Sequence, residues 1–288
     1  MKPKLVTVAL WIVAFALTVL LAVFQRMTGP SYPQRGRVSG VGEATFSYSL
    51  PRSNSGAGEL EIELAAPESA EGAILEWRRY PTENSWTSVA MVRNEDGRLA
   101  AAVPEQPPGG KVEYRIVIAI DGARVVIPPG EPNVARFRAD VPATVLVPHI
   151  LAMFASMLVS TRALLEAIRP TTPDPRRLVL VAMGLLIVGG LFLGPVVQKH
   201  AFGAYWTGWP RGHDLTDNKT LIAFLAWLPA SVLAVAARRL RAAVVLGWLV
   251  MMGVFLIPHS LRGSEMDWSA GEIKTGLLIG VGDRASPV

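Results

Sequence analysis

The stretch 5–24, LVTVALWIVAFALTVLLAVF, carries no charged side chain over the length a helix needs to cross a bilayer, about 20 apolar residues. Such a run leaves few folds open, because in lipid every backbone polar group must be satisfied within the segment. Four further apolar runs follow, at about residues 143–168, 178–197, 221–237 and 242–257. The last two are short, and Pro229 is placed to kink one of them. With 51% of its 288 residues hydrophobic, mostly in these runs, the chain reads as an integral membrane protein with five transmembrane helices.

Lys and Arg collect on the cytoplasmic side of short loops, and their distribution sets the orientation. Lys2 and Lys4 precede the first run, Arg169, Arg176 and Arg177 follow the second, and Arg238, Arg239 and Arg241 follow the fourth. The N-terminus is therefore expected inside and the C-terminus outside, in a bacterial inner membrane. Lys199, Arg211 and Lys219 weaken the contrast, although Asp214 and Asp217 stand among them. The first run is expected to be an uncleaved anchor, since AVFQRMTGP offers no small-x-small cleavage site. The net charge of +5 is scattered, without a basic stripe interleaved with aromatics, which argues against nucleic acid as a partner. The absence of cysteine excludes disulfides, thiolate metal ligands and a cysteine nucleophile.

Residues 30–142 form the first long segment outside the runs. A Pro- and Gly-rich stretch, PSYPQRGRVSGVG, reads as a linker. Short runs then alternate with turn clusters: ATFSYSL, ELEIEL, AILEWRRY, WTSVAMV, RLAAAV, KVEYRIVIAI, ARVVIP and VARFRA, separated by NSGAG, PESAEG, NEDG, PEQPPGG and DG. This spacing predicts an all-β sandwich inserted between the first and second helices. In ELEIEL, apolar and acidic residues alternate, so one face is buried and the other wet.

The stretch PPGGKVEYRIVIAIDG resembles a late strand of a fibronectin type III or immunoglobulin-like module, where a turn leads into a strand with a tyrosine near its start. The resemblance covers about residues 36–140. It implies that Tyr114 hydrogen-bonds back to the preceding turn and that Trp77 is the core tryptophan of an earlier strand. Both are equally well read as ordinary core aromatics, and modules of this kind host many functions.

The four histidines fall on one predicted face of the membrane. His149 stands in the first turn of the second run and His200 just beyond the third. His213 lies in the following loop and His259 at the end of the fifth run. Imidazole is the commonest protein metal ligand and the usual axial ligand of haem. Glu265 and Asp267 follow on the same side and would complete a metal shell with His149, His200, His213 and His259, or orient their rings. Without thiolate, such a site suits zinc, copper or iron, and a haem b would be held by His149 with His259. Against this stands the plain reading, histidines with one wet edge at the headgroup boundary and carboxylates in a solvated tail.

The loop QKHAFGAYWTGWPRGHDLTDNKT gathers Phe202, Tyr205, Trp206 and Trp209 between glycines, as an interfacial anchor or as a lid over the helix ends. Thr216 or Asp217 is expected to cap the fourth helix. Arg162 and Glu166, four residues apart, can pair on one helix face. No P-loop, GxGxxG, HExxH or GxSxG is present, and the sequence points away from an enzyme without excluding one. The expected organisation is an anchor at 1–29, a periplasmic sandwich at 30–142, a four-helix transmembrane bundle at 143–260 and an outer tail at 261–288. Two readings stand. One is an accessory or assembly subunit of an envelope complex that meets the lipid bilayer through its helices and a protein partner through the sandwich. The other is a haem- or metal-binding membrane protein, cytochrome-like or copper-handling.

Overall fold

A computed structural model describes residues 3–41, 44–169, 174–212, 214–258, 265–269 and 271–274. The chain divides into two compact units, Met1–Gln25 with Ala143–Lys199 and Ala204–Val288, and Arg26–Pro142 with His200–Gly203. In chain order, the strands within residues 34–138 come between the helices Pro3–Thr28 and Ala143–Ala167.

The helices are α1 (Pro3–Thr28), α2 (Ala143–Ala167), α3 (Arg176–Phe202), α4 (Leu215–Val235) and α5 (Arg241–Leu256). All but α5 are long and apolar enough to cross a membrane. At 16 residues α5 spans about 24 Å, short of the roughly 30 Å hydrocarbon core. Large apolar side chains such as Ile12, Leu20, Leu151, Phe192 and Leu246 stand more than half exposed on these helices, the surface lipid would cover. The inward faces meet around Trp227, which is fully buried. Its Nε1 donates to the Val179 carbonyl at 3.1 Å, and Ser156 Oγ donates to the Ala182 carbonyl at 3.0 Å. Such bonds join helices where apolar contact alone gives no preference over lipid. Small residues set the close approaches: a Cβ on Gly247 would stand 2.9 Å from the Ala226 carbonyl oxygen and 3.0 Å from the Trp227 ring.

Two boundaries and one internal segment differ from the sequence reading. Helix α3 runs past residue 197 to Phe202, so His200 lies within its last turn and not beyond it. Helix α4 starts at Leu215 and not near 221, which takes Asp217 and Lys219 into the helix. The middle of α3, Ile187–Leu193, is wound as a π-helix, a local widening that the hydropathy pattern does not announce. Arg162 and Glu166 pair at 2.7 Å as their spacing predicts.

The other unit is built of β1 (Gln34–Val41), β2 (Ala44–Leu50), β3 (Ser53–Ser55), β4 (Leu60–Leu64), β5 (Ala70–Tyr80), β6 (Thr87–Ala90), β7 (Val92–Arg93), β8 (Leu99–Val103), β9 (Lys111–Ile120), β10 (Ala123–Ile127) and β11 (Asn133–Arg138). One sheet has the order β3-β11-β9-β5-β6 with β10 beside β9, a second has β4-β8-β7, and β1 pairs with β2. Leu60, Ile62 and Leu64 from one sheet, Leu75, Ile116, Ile118 and Phe137 from the other, and Tyr48 and Leu50 from the hairpin bury one common core. The period-2 alternation reads directly: Val112, Tyr114, Ile116, Ile118 and Ile120 of β9 are all fully buried. The β9–β10 turn uses Asp121 at φ 49° and Gly122 at φ 75°, the paired left-handed residues of a two-residue hairpin.

The expected linker is a correction: its Gln34–Val41 part forms β1, antiparallel to β2. Gly36 is needed there because the Tyr48 ring of the opposite strand occupies the space a Cβ would take. The run WTSVAMV is not one strand. Met91, 7% exposed, drops into the core and donates its N–H to the Ala73 carbonyl, so β6 pairs with β5 while β7 crosses to β8. Tyr114 Oη donates to the Pro51 carbonyl at 2.7 Å, a residue 63 positions away, and not to the turn before its own strand. Trp77 packs against the edge of the core and is partly buried, not central. A two-stranded hairpin, β12 (Glu265–Asp267) with β13 (Glu272–Lys274), lies near the C-terminus.

Candidate functional site

A polar cluster gathers at the N-terminus of α4. Asp214 is the N-cap: its Oδ1 accepts from Thr216 N at 2.7 Å. The expected caps, Thr216 and Asp217, are therefore two and three residues too late. Asp217, released from capping and 5% exposed, turns its Oδ2 to the loop before the helix. That oxygen accepts from Thr207 N at 2.6 Å, Gly208 N at 3.0 Å and Thr207 Oγ1 at 3.3 Å. Gln198 of α3 donates to the same Thr207 hydroxyl. Asn218 Oδ1 accepts from Trp209 N at 2.7 Å. Lys219, 2% exposed, reaches the end of α5 and donates to the Ile257 carbonyl at 2.6 Å and the Pro258 carbonyl at 3.3 Å.

These side chains sew the loop 203–212 to α3 and α4, and α4 to the end of α5. Gly208 has no room for a side chain, since a Cβ would lie 2.6 Å from that of Asp217. The loop is thereby held as a fixed element that presents Tyr205 and Trp209 outward, 59% and 64% exposed. Trp206 Nε1 donates to the Trp209 carbonyl at 2.9 Å, which closes the turn between them. Sequence reading singled out the aromatics and Asp217 but missed Thr207 and Gln198. Nothing about an isolated Thr or Gln marks it as the partner of a carboxylate ten residues on.

The predicted ligands do not assemble among the described residues. His149 Nδ1 lies 2.9 Å from the Gly189 carbonyl oxygen, so it is the nitrogen that carries the proton, and Nε2 is left as the ring's acceptor. Gly189 belongs to the π segment, and its carbonyl also receives the Gly194 N–H. His200 is exposed in the last turn of α3. His213 and His259 lie outside the described residues. Glu265 opens β12, and Asp267 Oδ1 accepts from Ser269 N at 2.9 Å and Ser269 Oγ at 2.6 Å, an ordinary turn function. Among the described residues no group of three or more His, Asp or Glu is placed to hold a metal ion.

The β unit carries a different kind of surface. On the face of its larger sheet turned from the core, Arg78 stands opposite Glu113 and Glu76 opposite Arg115, with ion pairs of 2.5 and 2.7 Å. Both guanidinium groups lie 4.7 Å from the centre of the Trp86 ring. Beside this ladder runs an apolar row in which Ile74 and Val126 are 42% and 36% exposed. Tyr114 and Asn133 share the Pro51 carbonyl behind the sheet, and burial pushes the Tyr114 phenol above its ordinary range.

No family model matches the chain, and no curated protein matches it. Among solved structures, the crystal structure of a bromine derivative of BhCBM56 is similar over 38% of this chain and 95% of its own, at 15% identity and a TM-score of 0.24. A likeness of that degree carries no argument about ligand or activity.

Proposed function

We propose that this chain is an accessory or assembly subunit of a bacterial envelope complex, anchored in the inner membrane by its helices, with the β unit on the periplasmic side as a partner-docking module. The observation that carries the reading is the Trp86 ladder. Trp and Arg dominate the residues that hold protein interfaces together, and here two arginines are already fixed on a tryptophan by their own carboxylates, so little freedom is lost on docking. The exposed Ile74 and Val126 supply an adjoining apolar patch. The placement rests on Lys2 and Lys4 and on the two arginine clusters, together with α5 completing a fifth, short crossing. The chain has no cysteine, so single cysteines introduced at the exposed residues 61, 121 and 239 report sidedness without background. The first two should label from the periplasm and the third only after permeabilisation.

The immunoglobulin-like or fibronectin type III relation belongs to the same proposal. The sheet orders β4-β8-β7 and β11-β9-β5-β6 follow the B-E-D and G-F-C order of such sandwiches, and the parallel β3–β11 pair closes the edge. The Tyr114 bond to Pro51 is a departure from the usual tyrosine corner. The docking claim is tested by purifying the protein from native membranes with cross-linking. A stoichiometric partner should be lost with Trp86→Ala and with deletion of residues 36–140, while membrane insertion is retained. Capture of the same partner by both variants would defeat the docking role.

A second reading has one observation behind it. A ligating imidazole commonly donates its other N–H to a carbonyl, and His149 does so to Gly189. The cofactor would be a haem b or a copper, zinc or iron ion, with His259 as partner. Visible spectra and elemental analysis of the purified protein, with His149→Ala and His259→Ala beside it, decide this reading. A Soret band or stoichiometric metal lost in both variants supports it, and a colourless, metal-free sample from supplemented cells ends it.

A further inference from the structure

The hairpin β1–β2 puts Arg35 opposite Ser49 and Arg37 opposite Ser47, while Gly36 with Tyr48 and Val38 with Phe46 alternate on the core side. The two arginines therefore stand on one face, about 7 Å apart along the strand. They line a cleft of about 550 Å³, whose far wall holds Glu63 and Arg98. Glu63 is already engaged by Arg98 at 3.0 Å and by Asn94 at 3.1 Å. Arg37 has no hydrogen-bond or ion-pair partner among the described residues, and Arg35 touches only the Tyr32 ring, at 5.1 Å. Three guanidinium groups against one carboxylate leave the cleft with an excess of about two positive charges, and two serine hydroxyls as further donors.

We propose that this cleft binds the phosphate of an anionic phospholipid headgroup. Guanidinium forks match the oxygens of a phosphate in paired hydrogen bonds, and Ser47 and Ser49 are placed to donate to the same group. The source of the phosphate follows from chain length. Arg35 comes seven residues after Thr28, the end of a helix long enough to cross a membrane, and an extended chain of that length reaches at most about 25 Å. Arg26, in the last turn of α1, lies 5.8 Å from the same Tyr32 ring that Arg35 faces, so the basic residues run without a break from the helix end to the hairpin. Basic residues next to a span are drawn to anionic headgroups. Phosphate binding here would fix the β unit against the bilayer by a contact separate from the Trp86 face, and it does not depend on the docking reading.

The test uses the full-length protein in a neutral detergent, titrated with short-chain phosphatidylglycerol, short-chain phosphatidylcholine and inorganic phosphate. Phosphatidylglycerol should bind, and Arg37→Gln and Arg98→Gln should each weaken it about tenfold, while Arg124→Gln, which removes an exposed arginine outside the cleft, should not. Arg37→Lys should recover part of the loss, which excludes misfolding as its cause. Unchanged phosphatidylglycerol affinity in both glutamine variants overturns the site. Equal affinity for inorganic phosphate, lost in the same variants, overturns the lipid as the source, as does equal affinity for phosphatidylcholine.

Discussion

If Asp217 holds the aromatic loop, removing its carboxylate should release specific amides, and the size of the effect follows from the contacts. Oδ2 of this 5% exposed residue accepts from the backbone N–H groups of Thr207 and Gly208 and from the Thr207 hydroxyl. A hydrogen bond to a charged acceptor contributes about 1.5–3 kcal/mol, and a buried donor left unmade costs a similar amount. Because the three bonds share one oxygen they do not add in full, and Asp217→Ala should cost the loop about 3 kcal/mol. Each 1.36 kcal/mol is about a factor of ten, so the Thr207 and Gly208 amides should exchange with deuterium roughly a hundredfold faster. Asp217→Asn keeps an acceptor of the same shape without the charge, and about tenfold is expected. Asn218→Ala should act on the Trp209 amide, whose N–H it leaves without its 2.7 Å acceptor. Hydrogen exchange in detergent, resolved to these residues, reads all three. Wild-type exchange at Thr207 and Gly208 in Asp217→Ala would refute the argument, because the loop would then be held by something other than the carboxylate.

Three further outcomes follow from other parts of the molecule. Ile116→Ala, at a fully buried position of β9, should destabilise the β unit by about 2–4 kcal/mol in thermal unfolding. Gly247→Ala should push a methyl into the Ala226 carbonyl and the Trp227 ring and cost about 1–3 kcal/mol, seen as a lower unfolding midpoint in detergent. Tyr114 should make the β unit sensitive to alkali. Its folded-state value lies above the unfolded one of about 10, so the buried phenol keeps its proton while the unfolded chain loses it, and the stabilisation present below that pH is lost as pH rises through and beyond it. Unfolding midpoints between pH 8 and pH 11 should show this loss in the wild type and less of it in Tyr114→Phe.

Periodicity carried most of the fold, and it failed where one residue belongs to two patterns. The alternation in ELEIEL and KVEYRIVIAI places the core-facing side chains of β4 and β9, because a strand has a period of two, while Glu113 and Val117 are buried on the other face of β9 by neighbours the pattern does not show. WTSVAMV reads as one continuous strand-like run, yet Met91 turns the chain from one sheet to the other. A core anchor in mid-run leaves the hydropathy unchanged, so the break is invisible until the partners β5 and β8 are known. The glycines of RGRVSGV read as a linker, although Gly36 is there because a tyrosine from the opposite strand needs the space. In the membrane part the apolar runs were legible and their ends were not. Polar residues such as Asp217 and Lys219 look like loop until their buried partners are in view.

That same difficulty decides how the histidines are to be weighed. Four imidazoles on one predicted face suggested a site because sequence shows residue types and leaves out what each one touches. Once contacts enter, His149 is spoken for at Nδ1 by Gly189 and Asp267 by Ser269, whereas Arg37, which no motif search would select, has no hydrogen-bond or ion-pair partner among the described residues. A side chain that is bonded inward explains the fold around it. Trp86 is half-buried beneath Arg78 and Arg115, and the ion pairs that hold those arginines are themselves partly buried, so the ladder stands pre-ordered for the partner proposed above. That pre-ordering is why the proposed docking role is tested first at Trp86.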